Sequence, residues 1–220
     1  MERYLDMTEV SDGRKYRRSD MVKLGCNECA GCSDCCHKVG DSIVLDPWDI
    51  YMLTLHLDCS FEELLGDRVA LGLVDGLILP HIQIENEEMG CSFLDGDGRC
   101  SIHAFRPGMC RLFPLGRLYE NGGFSYFLQT EECLVKRRTK VKIDRWLEIP
   151  DLDKYEKYII KWHYFCKKIQ DNAKEMEESV LKKYNMTVLQ LFFDAPYVGE
   201  DFYGQFDSRM AQAEEIFSLD

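Results

Sequence analysis

The sequence lacks any apolar run of roughly 18 residues or more, the length that a membrane-spanning helix needs. Residues 1–20 are charged throughout and lack the apolar core of a secretion signal. We therefore predict a cytoplasmic protein with no membrane partner. Because disulfides are rarely kept in that reducing compartment, the eleven cysteines predict metal binding rather than a disulfide framework.

Basic residues are also few. The chain has 27 Lys and Arg against 39 Asp and Glu, which gives a net charge of −12. Because phosphate contacts need a basic face, this balance disfavours a nucleic-acid partner. Two short basic runs, residues 14–18 and 136–142, are interpreted as solvated surface segments.

Common catalytic signatures are absent from the sequence. It contains no glycine-rich phosphate loop ending in Gly-Lys-Ser/Thr and no G-x-S-x-G nucleophile elbow. A nucleophilic pair such as Cys36 and His37 is conceivable, but a site with one reactive thiolate does not explain a crowd of thiols. The stretch DGDGR, residues 95–99, lacks the later carboxylates of a calcium loop and is interpreted as a tight turn. The absence of these motifs leaves open whether the protein is an enzyme.

Cysteine is the residue that the sequence does concentrate. Ten of the eleven cysteines fall between Cys26 and Cys133, and five lie in the stretch CNECAGCSDCC. Thiolates separated by two residues present several sulfurs to one centre in zinc sites and iron–sulfur clusters. We leave out Cys59, at a helix junction, and Cys166, on an apolar helix stripe, because both patterns predict core packing. The candidate metal ligands are Cys26, Cys29, Cys32, Cys35, Cys36, Cys91, Cys100, Cys110 and Cys133.

The spacing of these thiols bears on the metal and on the number of centres. Consecutive C-x2-C steps are closer to the run that wraps an iron–sulfur cubane than to the separated pairs of a zinc knuckle. The predicted cofactor is therefore a [4Fe-4S] cluster, with zinc as the alternative. Side chains of adjacent residues diverge, and in an extended backbone they point to opposite faces, so we expect that Cys35 and Cys36 serve different centres or that one of them is not a ligand. The nine candidate thiolates would suffice for two four-sulfur centres.

Two blocks of the sequence resemble a known family. Cys29-Ala-Gly-Cys32-Ser-Asp-Cys35-Cys36 is similar to the signature of the YkgJ-type cysteine-cluster (CxxCxxCC) family, a "putative zinc- or iron-chelating domain". The block from Cys91 to Pro114, with its R-P-x-x-C-R frame, resembles the second half of that pattern. The resemblance covers about residues 24–118 and implies a metal-chelating domain. Some relatives are linked to lysine N-methylation of flagellin.

Three further residues of the second block are predicted to bind the cofactor. Arg106 and Arg111 flank Cys110, and either guanidinium would neutralise an anionic thiolate centre. A surface salt bridge is the alternative role for both. His103 is the best candidate for a nitrogen ligand because it follows Cys100 by three residues, although we favour packing beside the ligands over ligation.

The rest of the sequence predicts an α+β fold. Short strands and helices surround the cysteine loops, and a helical C-terminal segment follows. The predicted strands cover residues 42–45, 69–74 and 77–84, and the predicted hairpin covers 117–128. We divide the chain into a charged N-terminal extension (1–24), a Cys-rich metal-binding domain (25–148) and a helical C-terminal segment (149–220).

Capping and periodicity place the helices. Asp46 with Asp49, and Ser60 with Glu63, have the spacing of capping boxes, so helices are expected to begin there. Pro107 is predicted to start a tight helical turn that fixes the cysteine three residues later. Apolar residues at three- and four-residue steps predict a long helix over 155–169, and further helices are predicted over 180–193 and 205–217.

Three functions fit these observations. The first is a metal-binding protein with one or two iron–sulfur centres and a redox role, serving an unknown protein or redox partner. The second is a structural zinc module whose helices present a surface to a partner. The third, implied only by the resemblance, is an enzyme related to protein-lysine methylation with a metal cluster.

Overall fold

The structure is a computed structural model that describes residues 7–26, 32–37, 42–84, 90–130, 132–133, 135 and 137–217. Its fold is α+β, as the sequence predicts, with short antiparallel strand pairs and a helical C-terminal region. The strands are β1 (Met21–Gly25), β2 (Val69–Val74), β3 (Leu77–Ile82), β4 (Leu115–Glu120), β5 (Gly123–Leu128) and β6 (Thr139–Lys142). The helices are α1 (Met7–Val10), α2 (Pro47–Leu57), α3 (Phe61–Leu64), α4 (Gly108–Leu112), α5 (Ile143–Leu147), α6 (Leu152–Ala173), α7 (Glu178–Leu189) and α8 (Phe202–Phe217).

The strands form three two-stranded antiparallel sheets, β1–β6, β2–β3 and β4–β5. The two hairpins predicted from the sequence are confirmed. Their turns contain Asp75-Gly76 and Asn121-Gly122, and all four residues have positive φ. Two-residue hairpin turns require this conformation, and Asn, Asp and Gly adopt it most readily.

The predicted strand over residues 42–45 is reduced to a single bridge between Val44 and His81. On either side of it, the backbone N–H of Leu45 donates to Pro80 at 2.8 Å and that of Ile82 donates to Ile43 at 3.1 Å. The strand cannot extend further along β3 because the N-cap of α2 follows immediately at Asp46.

Both predicted capping boxes are present. Asp46 accepts from the backbone N–H of Asp49 at 3.0 Å, and Asp49 accepts from that of Asp46 at 3.1 Å. Ser60 and Glu63 make the same reciprocal pair at the start of α3. Pro107 is the N-cap of the five-residue helix α4, as expected.

One apolar core joins the early elements to the C-terminal helices. The buried stripe of α6 includes Tyr155, Trp162 and Ile169, and it belongs to the same cluster as Val22 of β1 and Phe217 of α8. A π-helical turn, Gln190–Asp194, continues α7. The division into residues 1–24, 25–148 and 149–220 stays a prediction.

The burial of Cys59, Cys166 and the two basic runs agrees with the sequence predictions in part. Cys166 is buried in the core, as predicted, whereas Cys59 is half-buried between α2 and α3. Of the two basic runs, Arg14 and Lys140 lie exposed at the surface. Among the described residues, no helix combines the length and the apolar character needed to cross a membrane.

Candidate metal centre

The end of the first cysteine motif is one turn of 3₁₀ helix over Asp34–Cys36. The N–H of Cys36 donates to Ser33 at 2.8 Å, and that of His37 donates to Asp34 at 3.2 Å. Upstream of the turn, the Cys32 thiol donates to the Asp34 carboxylate at 3.2 Å. The Cys35-Cys36 doublet therefore lies in a helical turn and not in extended backbone, and the assignment of its two sulfurs to different centres stays a prediction. Cys29 lies outside the described residues.

The second motif begins with a loop whose two ends carry thiols. Cys91 and Cys100 are joined through the tight turn predicted at residues 95–99. The Asp95 carboxylate accepts from the backbone N–H groups of residues 97 and 99, at 3.0 and 2.8 Å. This carboxylate holds the turn by local hydrogen bonds, which is the behaviour of an Asx turn.

The two motifs meet through their main chains. The backbone N–H of Cys91 donates to the carbonyl oxygen of Cys36 at 2.9 Å. Gly90 has φ +78, and a Cβ atom there would lie 2.8 Å from that carbonyl and 2.6 Å from the His37 ring. Only glycine fits, because both the backbone conformation and the space exclude a side chain. Gly90 was not among the residues predicted from the sequence, although a glycine directly before a candidate ligand cysteine is a signal for such a close approach.

The third element of the centre is α4, which carries Cys110. The helix begins at Gly108, whose backbone N–H donates to the buried carboxylate of Asp49 at 2.7 Å. From the sequence, Asp49 was predicted only to cap its own helix. Its contact with α4 depends on the packing of two helices and has no local signal in the sequence.

The thiols of the doublet contact each other. The Cys36 thiol donates a hydrogen bond to the Cys35 sulfur, which lowers the pKa of Cys35 to about 7 and raises that of Cys36. Negative charge on the sulfurs of Cys91 and Cys100 further raises the pKa of Cys36. The two motifs therefore bring their sulfurs within electrostatic range of one another.

The remaining thiols belong to the same group. Burial raises the pKa of Cys91 and of Cys100, and each is raised further by charge on Cys35. Burial also raises the pKa of Cys110, and negative charge on Asp49, Cys91 and Cys100 raises it further. We call these five thiols, Cys35, Cys36, Cys91, Cys100 and Cys110, the thiol group. Cys35 is exposed and the other four are half-buried.

Arg106 supplies positive charge to the thiol group. Its guanidinium lowers the pKa of Cys35 and opposes the rise at Cys100 and Cys110. One of its terminal nitrogens lies 3.0 Å from Nε2 of His103. Its Nε atom is buried and has no hydrogen-bond partner within the described part of the chain. A buried donor without an acceptor is costly, so this atom indicates that an anionic group belongs beside it.

Arg111, predicted for the same role, makes different contacts. Its side chain is 6 % exposed, and it donates to the carbonyl oxygens of Arg106 at 3.0 Å and Ala104 at 2.6 Å. It also donates to those of Leu147 at 3.4 Å and Glu148 at 3.2 Å. These bonds tie the loop before α4 to the end of α5. Its predicted role in binding the cofactor stays a prediction.

Cys26 and Cys133 are both half-buried. Cys26 follows β1 directly, and Gly25 pairs with Thr139 at the start of β6. Cys133 precedes β6 in the chain. Their assignment as ligands stays a prediction.

The donor set fits a thiophilic metal. Zinc and iron–sulfur clusters are both held by thiolates, and the thiol group offers five beside a cationic side chain. Among the residues that the structure describes, no three His, Cys, Asp or Glu side chains are arranged to hold a metal ion as they stand. Binding therefore requires some of these side chains to turn toward a common point.

Comparison with known proteins agrees with this chemistry. A search among curated proteins and a search among solved structures each found no match. The sequence profile of the CxxCxxCC family, described as "Putative zinc- or iron-chelating domain", matches residues 28–175, which is more than half of the chain. The matched range contains all five members of the thiol group and the whole of α6, and the chain belongs to this family of metal-chelating proteins.

Proposed function

We propose that the thiol group holds an iron–sulfur cluster of the [4Fe-4S] type and that the protein has a redox role. The observation that carries the proposal is the main-chain bond from Cys91 to Cys36, which joins the two cysteine motifs, together with the effect of the five thiols and Arg106 on one another's pKa. When bound, such a cluster supplies one-electron transfer, with a potential that hydrogen bonds to its sulfurs and its solvent exposure help to set.

One feature supports iron–sulfur over zinc. The consecutive C-x2-C steps of the first motif are closer to the run that wraps an iron–sulfur cubane than to the separated pairs of a zinc knuckle. The buried Nε–H of Arg106 has no acceptor among the described residues, and a sulfide or thiolate sulfur would provide one. Zinc is the second candidate, since the family description names both metals.

Each residue of the centre has a proposed part. Arg106 lowers the cost of gathering negative thiolates, because an opposite charge favours their ionised form. His103 lies against the Arg106 guanidinium and orients it. The exposed Cys35 marks the side from which an unidentified redox partner would exchange an electron. We propose the cytoplasm as the location, because its reducing conditions keep thiols available.

A second centre is proposed for the remaining candidate ligands, Cys26, Cys29, Cys32 and Cys133. Its support is the C-x2-C spacing of Cys26, Cys29 and Cys32. Protein-lysine methylation stays a prediction drawn from the family resemblance.

Elemental analysis of protein purified without oxygen tests the proposal. We expect a brown protein with iron and acid-labile sulfide, whose visible absorbance is lost on replacing Cys91, Cys100 or Cys110 by Ala. Cys59→Ala is the matched control, because that half-buried thiol lies at the α2–α3 junction. A colourless protein with stoichiometric zinc would sink the iron–sulfur proposal and establish the zinc alternative.

A further inference from the structure

The helix that carries Cys110 is too short to be stable by itself. It has five residues, Gly108–Leu112, and its N-cap, Pro107, makes no side-chain hydrogen bond to it. Short helices are marginal in water, and the first backbone N–H groups of a helix have no partner within the helix. Some other part of the protein must therefore hold its first turn.

Asp49 of α2 provides that contact. Its carboxylate is 2 % exposed, and one oxygen accepts from the backbone N–H of Gly108 at 2.7 Å. The other oxygen accepts from the N–H of Asp46 at 3.1 Å, within the capping box of α2. One carboxylate thus binds the N-terminal turns of two helices that are distant in sequence.

The surroundings leave α4 little freedom at this point. A Cβ atom on Gly108 would collide with the Tyr155 hydroxyl of α6 and lie 3.6 Å from the Asp49 carboxylate. Asp46 in turn accepts from the Tyr158 hydroxyl at 2.9 Å. Tyr155 and Tyr158 of α6 thus lie against the start of α4 and the N-cap of α2.

We propose that Asp49 is a positioning residue for the metal centre, which holds α4 so that the Cys110 thiol faces the other thiols before metal binds. The inference rests on the proposed function, in which Cys110 is a ligand. Outer partners that orient a metal ligand contribute about 10–100-fold to metal affinity, because without them the ligand must be ordered when metal binds.

Release of the bound metal from the full chain to excess chelator tests the inference. We expect Asp49→Ala to release it about 10–100-fold faster than the wild type. Asp49→Ser should do the same with less effect on folding, since its hydroxyl accepts from nearby backbone N–H groups but is too short to reach Gly108. Asp46→Ala is the matched control, because it removes the other half of the same capping box without touching α4. Ser60→Ala removes an equivalent cap on α3.

The melting temperature of the metal-free chain separates positioning from general destabilisation. Both Asp49→Ala and Asp46→Ala should lower it, but only the Asp49 variants should speed metal release. The inference would be overturned if the Asp49 variants released metal at the wild-type rate, or if Asp46→Ala released it as fast as the Asp49 variants do. Hydrogen exchange needs no variant: the Gly108 amide should stay protected in the metal-free wild type, and rapid exchange there would contradict it.

The proposed function fails in a different way. If the wild-type chain holds no metal, or if Cys110→Ala retains it fully, the ligand assignment itself is wrong. If the wild type binds metal and Cys110→Ala loses it while the Asp49 variants release it normally, only the role of Asp49 is refuted.

Discussion

The backbone N–H of Cys91 donates to the carbonyl oxygen of Cys36 at 2.9 Å, so the two cysteine motifs are joined by main chain as well as by any shared metal. A main-chain bond survives the replacement of a neighbouring side chain. Variants of single cysteines are therefore expected to keep the motifs together, and their loss of metal reports on ligation rather than on unfolding.

Gly90→Ala should loosen this junction. Gly90 has φ +78, and a Cβ there would press on Cys36 and His37. The left-handed backbone alone costs an alanine about 1–2 kcal/mol, and the contact adds to that. We expect a lower free energy of unfolding in urea together with faster metal release.

Gly13→Ala is the control for Gly90→Ala. Gly13 has a similar φ of +71, but a Cβ there would meet nothing within 4 Å. It should lose about 1–2 kcal/mol of stability without any change in metal release. Equal release rates in the two variants would show that the close approach at Gly90 does not matter to the centre.

Arg106→Met should weaken metal retention more than it weakens the fold. The substitution removes the positive charge facing the thiol group and keeps much of the side-chain volume. We expect affinity for the bound metal to fall about 10–100-fold in a chelator competition assay. Arg99→Met removes the same charge from the exposed turn and should leave affinity unchanged. An unchanged affinity for Arg106→Met would remove Arg106 from the centre.

Arg111→Met should weaken the fold more than it weakens metal retention. Its guanidinium donates to four backbone carbonyl oxygens, and hydrogen bonds from a charged donor are worth about 1.5–3 kcal/mol each. We expect the metal-free chain to lose at least about 3 kcal/mol of unfolding free energy, measured by urea denaturation. Full stability of the metal-free variant, with loss of metal alone, would instead favour the cofactor-binding role predicted from the sequence.

Stability should also depend on pH through Asp46. Burial raises the pKa of this carboxyl in the folded chain above its ordinary value. The folded state therefore holds the proton more tightly than the unfolded state. Its contribution to stability is fully present below the ordinary pKa of about 4 and is lost as pH rises through the higher folded value.

Asp46→Asn removes this titration. In urea denaturation of the metal-free chain, the free energy of unfolding of the variant relative to the wild type should rise as pH increases from about 4. Using the difference between the two chains cancels the titrating groups that Asp46 does not influence. Burial and then the charge of Asp46 raise the pKa of Asp49, so its change on replacing Asp46 shifts the difference in the same direction. A difference that stays constant with pH, or falls, would contradict the raised pKa.

Local features were predictable from the sequence because their causes are local. The hairpins follow from Asp75-Gly76 and Asn121-Gly122, whose residues tolerate positive φ. The starts of α2 and α3 follow from reciprocal caps within four residues.

The fold class, the family and the candidate thiol ligands were predictable from the sequence alone, since periodicity, capping and C-x2-C spacing depend only on near neighbours. The tertiary structure established which cysteine-bearing segments meet. Cys36 and Cys91 come together through a main-chain bond, and Asp49 reaches α4 across the packing of two helices. It also separated Arg106, which faces the thiols, from Arg111, which binds carbonyl groups. These relationships depend on packing between segments that are far apart in sequence, and no local sequence pattern predicts that packing.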